Sequence, residues 1–432
     1  MEKFINLVYD DVENVRIYAE ESARSAEVRR EYKRNGQLAS GIEAHFGEGW
    51  FDIIGAYMLY SANFMSIDEV EAHPDRKFYY IILTGSELKG LVKKCGKIPL
   101  TERIRDVLKK SKNLKIIFMN PHECDTPDVL EFMDSQIKSE GLDPSQFYLV
   151  NNNYRLKEKK KETGSNINVH HIKYLPKGNI SLMARFKHEI QNDKLFNFMC
   201  FNRNPGAHRV VLLSMLLERE LIHSFDWSLL RGFMLKNILN HGDWAVEKYL
   251  KDIVYTDEVE KYAGYVKHFA NLGVRKSMME SYLEIPETPI PHNDLPGEKI
   301  FLENPYQKSY INVTTETSFW DDVIHITEKT FIPFYFYQLP IIVGNYQMVK
   351  KIKEEFNFDL FDDFIDHSYD NEPNPRKRME MIVNEIERLN KNPQKIKEFY
   401  IENSHRLIYN NQRCLEISQG KTDDADFFNS LL

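Results

Sequence analysis

A carboxylate and an ammonium stand side by side in Ile326-Thr327-Glu328-Lys329, inside the stretch SYINVTTETSFWDDVIHITEKTFIPFYFYQLPIIV that spans 309–343. Such a Glu can accept hydrogen bonds from both hydroxyls of a ribose. The adjacent Lys can neutralise a phosphate, or the charge that develops on a departing diphosphate. The pair therefore suits a nucleoside-diphosphate sugar, and sugar transfer is the leading reading, with Glu328 as donor-binding and Lys329 as donor-binding and catalytic. Glu316 closes the apolar run Tyr310–Thr314. Ligands of open α/β sheets bind beyond such strand ends, so Glu316 and its neighbour Thr317 join the donor candidates.

A second stretch has complementary chemistry. The run Phe196–Phe201 leads through Asn202-Arg203-Asn204-Pro205-Gly206 into a helical pattern, Ala207–Leu221. A helix start offers unpaired N–H groups and the positive end of its dipole to an anion. Arg203 in the loop and Arg209 in the first turn can each grip phosphate oxygens. Transfer to an acceptor hydroxyl also calls for a base to deprotonate it, usually a carboxylate. The best candidate follows the run Lys115–Met119: Glu123, in Asn120-Pro121-His122-Glu123-Cys124-Asp125, with Asp125 and His122 behind it. The same cluster also reads as a helix cap before Thr126-Pro127.

These residues need a scaffold of buried strands alternating with helices. Short runs rich in Ile, Phe, Tyr and Val at Trp50–Leu59, Phe78–Thr84, Lys115–Met119 and Phe147–Val150 predict strands. Helical patterns at Leu100–Lys112 and Asp128–Glu140 lie between them. Alternation of this kind predicts parallel sheets covered on both faces. Lys157–Asn166, KEKKKETGSN, reads as a solvated surface loop. The pattern restarts at Phe196 and includes strands at Tyr310–Thr314 and Pro340–Val343. In the amphipathic tail Pro375–Asn411, Met379, Ile382, Val383, Ile386 and Leu389 recur at helical spacing. The expected organisation is an α/β acceptor domain over 1–185, an α/β donor domain over 186–385 and C-terminal helices over 386–432.

Phe196–Leu213 and Ser309–Gly344 together resemble the donor domain of the α-1,3-fucosyltransferases. That family's signature resembles FEN, a short loop, Y-[IV]-T-E-K, an apolar helix and a [VI]-P-[VI]-x-x-G strand. Here the counterparts are Thr315-Glu316-Thr317, a longer loop, His325-Ile326-Thr327-Glu328-Lys329 and Pro340-Ile341-Ile342-Val343-Gly344. The resemblance implies a GT-B fold: two Rossmann-like α/β/α domains facing a cleft, with C-terminal helices packing back. It implies an inverting, metal-independent transfer from a GDP-fucose-like donor to a glycan hydroxyl. Glu328 would bind the ribose and Lys329 the phosphates. Arg209, in Asn204-Pro205-Gly206-Ala207-His208-Arg209, matches a family pattern N-x-x-x-x-R whose Arg contacts phosphate. The chain departs from the family at Thr317, where the family has Asn, and at His325, where it has Tyr. Both positions lie near the donor, so the sugar and base stay open.

Composition bounds these readings. The chain has 432 residues, 42% hydrophobic and 12% aromatic, enough for more than one core. A net charge of −8 gives no general basic signature for nucleic acid, although a local patch can act against the global sign. Cys95, Cys124, Cys200 and Cys414 form no CxxC pair, which fits reduced thiols and a cytoplasmic setting rather than a disulfide framework. No apolar leader and no membrane-length run is present in the sequence. His170-His171 lacks a third ligand at metal spacing, and Phe358–Tyr369 has no DxD triplet to carry a divalent ion on a diphosphate. No cofactor or metal is expected. Phe358–Tyr369 reads mainly as packing plus a solvated turn, with Asp366 or Tyr369 near the donor as the alternative, and Trp50 reads as core packing or as a surface that stacks on an acceptor sugar. Neither GxGxxG nor GxxxxGK[ST] occurs. Two alternatives remain: a transferase acting on modified bases in DNA, and a catalytically inactive nucleotide-binding or scaffold module.

Overall fold

The structure, a computed structural model, describes residues 5–9, 62–83, 88–120, 125–171, 190–202, 204–229, 234–272, 275–276, 305–319 and 322–419. The chain divides into two compact units, one of Met1–Tyr174 together with Lys421–Leu432 and the other running from Leu175 to Gly420.

The first unit is built on a parallel sheet of β1 (Ile5–Tyr9), β2 (Ala62–Ser66), β3 (Phe78–Leu83), β4 (Leu114–Asn120), β5 (Phe147–Asn151) and β6 (Asn168–His171). The strand order is β2-β1-β3-β4-β5-β6. Its helices are α1 (Glu69–Ala72), α2 (Leu88–Cys95), α3 (Glu102–Lys110), α4 (Val129–Ser139) and α5 (Leu156–Thr163). Phe78, Ile116, Phe118 and Phe147 from the strands and Ile104, Val107, Leu130 and Ile137 from the helices form one apolar core. Fully buried β-branched and aromatic runs are what a parallel sheet needs when helices cover it. Helix α3 starts where Thr101 accepts from the Ile104 N–H, an N-cap.

Helix α5 corrects the reading of Lys157–Asn166 as a loop. Unbranched Lys and Glu are good helix formers, and Lys159 pairs with Glu162 one turn on. Gly164, at φ 64°, ends the helix in the left-handed conformation. The charges mark a solvated helix, with Leu156 its buried residue.

The second unit contains β7 (Phe196–Asn202), β8 (Phe225–Leu229), β9 (Arg275–Lys276), β10 (Ser309–Thr315) and β11 (Leu339–Val343). They lie in the order β11-β10-β7-β8-β9, all parallel except the β8–β9 pair. From β7 the chain builds outward to β8 and β9. It then returns to the other side of β7 with β10 and β11. Strand order therefore reverses between β7 and β10. Every residue of β10 and β11 is buried. Pro340 is tolerated because β11 is an edge strand, and the Tyr369 hydroxyl, accepting from the Ile342 N–H at 3.2 Å, covers that edge.

Helix α6 (Ala207–Glu218) follows β7. Helices α7 (Met234–Asn240), α8 (Asp243–Leu250) and α9 (Val259–Leu272) follow β8 and pack on one another. Helix α10 (Glu328–Tyr335) joins β10 to β11. Helices α11 (Met348–Phe356), α12 (Pro375–Asn390), α13 (Pro393–Glu402) and α14 (Ser404–Gln419) complete this unit. Met379, Ile382, Val383, Ile386 and Leu389 are all buried on α12, as their spacing requires. Among the described residues, no helix is long and apolar enough to cross a membrane.

Candidate functional site

The carboxyl ends of β7 and β10 are neighbours at the point where strand order reverses. That is the position at which open α/β sheets bind ligands. The register pairs Ser309 with Phe196 and Asn312 with Met199. The strands consequently end together, and Thr315 Oγ1 donates to Asn202 Oδ1 at 2.5 Å. Asn202 in turn donates to Cys200 Sγ at 3.3 Å. Burial raises the Cys200 thiol to about 11, so this sulfur is a neutral packing atom and not a nucleophile.

Beyond β7, the Asn204-Pro205-Gly206 turn delivers Gly206 as N-cap of α6. A side chain at Gly206 would have its Cβ 3.0 Å from His208 Cε1, so only glycine lets the His208 ring lie against the turn without displacement. His208 Nε2 is 2.9 Å from the Glu316 carbonyl and therefore carries the proton in that bond. The ring stacks on Phe319 at 5.8 Å. Burial first, and the Arg209 guanidinium second, depress its pKa to about 3, so it is neutral.

Arg209 is only 7% exposed. It donates to the carbonyls of Asn204 at 3.0 Å, Thr315 at 3.4 Å and Glu316 at 3.1 Å, while its buried Nε has no partner. Burial lowers its pKa, and the Glu316 carboxylate opposes that effect. Arg209 thus ties the loop after β7 to the end of β10 and keeps one N–H in reserve.

Glu316 is the hub of the opposite half. It is fully buried. Its carboxylate accepts from the Thr327 N–H at 3.3 Å, Thr327 Oγ1 at 2.7 Å and Thr330 Oγ1 at 2.5 Å. Both oxygens face the start of α10, so Glu316 is a positioning group rather than a direct ligand contact. The next two residues after Thr327 open the helix. Glu328 and Lys329 have side chains 31% and 30% exposed, which leaves both accessible to a ligand. Lys329 Nζ lies 3.0 Å from Glu328 Oε1 and 3.1 Å from Thr327 Oγ1. Burial pushes the Glu328 carboxyl up, but the adjacent ammonium outweighs it and holds the pKa below the ordinary value. The pair sets a carboxylate for hydroxyls beside an amine for phosphate.

The two halves share one electrostatic neighbourhood. The Glu328 carboxylate acts on Arg209, and the Lys329 ammonium acts on His208. Of the other donor candidates, Thr317 is exposed just past β10, and His325 is buried and supports the Glu328 charge. Arg203 and Glu123 lie outside the described residues, as do His122, Trp50 and the Trp320-Asp321 pair. Asp125, behind Glu123 as a candidate base, is not available for that role. It is fully buried, accepts from the Leu88 N–H at 2.6 Å and from Asn151 Nδ2 at 2.8 Å, and so fastens the loops at the ends of the strands. His171 Nε2 lies 3.2 Å from the Asn152 carbonyl. Among the described residues, no group of three or more His, Cys, Asp or Glu could hold a metal ion.

His208 and Thr330 escaped the sequence reading. Both serve Glu316, one at its carbonyl and one at its carboxylate, and both lie three residues or fewer from a residue that did stand out. Arg378 is another: a buried guanidinium that donates to the Gly344 carbonyl at 3.2 Å and to Phe319 O, over whose ring it also sits. It braces the loop between β10 and α10 from a residue distant in sequence. In comparisons with known proteins, the chain matches no family model and no curated protein.

Proposed function

We propose that this protein is a glycosyltransferase of GT-B type, metal-independent and inverting, that binds a nucleoside-diphosphate sugar at the ends of β7 and β10. The observation that carries the reading is the double role of Glu316. Its carbonyl holds His208 and Arg209 at the start of α6, and its carboxylate holds the start of α10. Anion-binding and hydroxyl-binding groups are thereby combined at the switch point of a doubly wound sheet. In this reading Glu328 takes the ribose hydroxyls. Lys329 and the α6 start, with Arg209, stabilise the leaving diphosphate, a task that oriented donors and cations perform without a metal. Glu123, after β4, is the proposed acceptor base, and a GDP-fucose-like donor with a glycan acceptor is the proposed pairing.

The test is a thermal-shift screen against GDP, UDP, ADP, CMP and dTDP, run with wild type and Lys329→Ala. A ligand that binds only the native state stabilises it by about 2.7 kcal/mol at a hundred times its dissociation constant. Stabilisation of wild type by one diphosphate, lost in the variant, supports the donor site and names the base. No shift with any nucleotide counts against it. Binding without transfer to any acceptor identifies a nucleotide-binding module instead.

A further inference from the structure

We infer that Tyr249, on α8, is a positioning residue for the diphosphate, an inference that rests on the donor-site reading above. Tyr249 comes from the three-helix insertion α7–α9, far in sequence from both motifs that define the site. Its hydroxyl donates to the Pro205 carbonyl at 2.6 Å. Pro205 is the central residue of the turn that delivers the α6 N-terminus. The turn closes through the Gly206 N–H on the Asn204 carbonyl at 3.0 Å, and Arg209 donates to that same Asn204 carbonyl at 3.0 Å. A single bond from Tyr249 therefore fixes the peptide between the two groups that would face an anion: the first N–H groups of α6 and the guanidinium.

The chemistry of the bond suits that task. Proline leaves its own carbonyl as the only backbone polar group it can offer, so the turn cannot be held at this residue through an N–H. Tyr249 is half-buried, desolvation raises its pKa well above the ordinary value, and Arg209 is the cation that opposes the rise. Tyr249 is therefore a neutral, permanent donor beside Arg209 across the physiological range. Its aromatic ring adds stiffness that a Ser or Lys donor would lack. Tyr249 touches no ligand in this scheme. It acts by keeping the Asn204–Gly206 turn in the shape that aims the α6 start, at a cost in freedom met before the ligand arrives.

Tyr249→Phe removes the hydroxyl and leaves the packing. Calorimetric titration with GDP and UDP, alongside unliganded melting curves, tests the assignment. The expected result is diphosphate binding weakened about threefold to tenfold, the worth of one buried hydrogen bond, with the unliganded melting temperature within about 2 °C of wild type. The loss should be shared by pyrophosphate and absent for the nucleoside alone. Gly206→Ala, which disturbs the same turn from the other side, should weaken the same ligands should the Phe variant fold poorly. If wild type binds a diphosphate and Tyr249→Phe binds it equally well, the inference falls while the donor site stands. Failure of wild type to bind any diphosphate removes the donor-site reading and this inference with it.

Discussion

The carboxylate of Glu316 accepts a hydrogen bond from Thr327 Oγ1 at 2.7 Å. The bond spans the whole loop between β10 and α10 and fixes where the helix begins. Since Glu328 and Lys329 are the first two residues of that helix, a buried acid that meets no ligand determines where the exposed pair points. A helix of eight residues with Pro333 inside it has little stability of its own. Its start depends on this anchor.

Glu316→Ala should therefore cost more than an ordinary surface change. It leaves a buried N–H and two buried hydroxyls without their acceptor, and the expected loss is about 3 kcal/mol or more. Glu316→Gln keeps the shape and should cost less, because the amide oxygen keeps the Thr327 N–H and the Thr330 hydroxyl, and only the Thr327 hydroxyl must turn to accept from the amide nitrogen. Urea unfolding reads both. Equal stability of all three proteins would show that the anchor is not needed.

Several strands were legible in the sequence because each is a local apolar run. Phe196–Phe201, Lys115–Met119, Phe147–Val150 and Tyr310–Thr314 all fall within observed strands, since continuous apolar β-formers have few other fates in a parallel sheet. Strand β8, by contrast, hides in Phe225-Asp226-Trp227-Ser228-Leu229, where Asp226 breaks the apolar run although it is itself buried. The roles of individual site residues were less legible. Glu316 and Glu328 look alike as acids near a strand end. Only the fold reveals that three donors surround the first while the second remains accessible. Tyr249 and Arg378 act on loops from 44 and 59 residues away, a relation that no spacing rule contains.

Arg209 should resist replacement by lysine. Its guanidinium reaches three carbonyls on two loops from one planar fork, whereas an ammonium cannot match that geometry. Arg209→Lys is expected to lose about 2 kcal/mol of stability and most diphosphate affinity. Should the lysine variant bind as tightly as wild type at equal stability, Arg209 would act as a simple positive charge and the bracing role would be wrong.

His208 predicts the acid side of the stability profile. Its folded pKa is about 3 because burial and then Arg209 disfavour the cation, while an unfolded histidine titrates near its ordinary value. The unfolded state therefore binds the extra proton first. The stabilising contribution is complete above about pH 6.5 and falls away as the pH drops from there towards 3. Linkage puts the loss at about 2 kcal/mol between pH 6.5 and 5. His208→Gln can still donate to the Glu316 carbonyl but cannot titrate, so its stability should be flatter over that interval. Parallel slopes for the two proteins would remove His208 as the cause.

Glu123 and Asp125 stand two residues apart and should behave oppositely. Asp125 is committed to the Leu88 N–H and to Asn151, and Asn151 cannot turn its amide because its own Oδ1 accepts from the Asn153 N–H at 2.8 Å. Asp125→Asn must therefore set an amide N–H group against one of those two donors. The expected cost is about 2 kcal/mol of stability, with the transfer rate per folded molecule unchanged. Glu123→Ala should leave stability and nucleotide binding near wild type and reduce transfer about a hundredfold or more, the usual contribution of a general base. Denaturation curves and turnover on the same preparations separate the two effects. Full activity in Glu123→Ala would exclude it as the base and leave the donor-site reading, which nucleotide binding tests separately, in place.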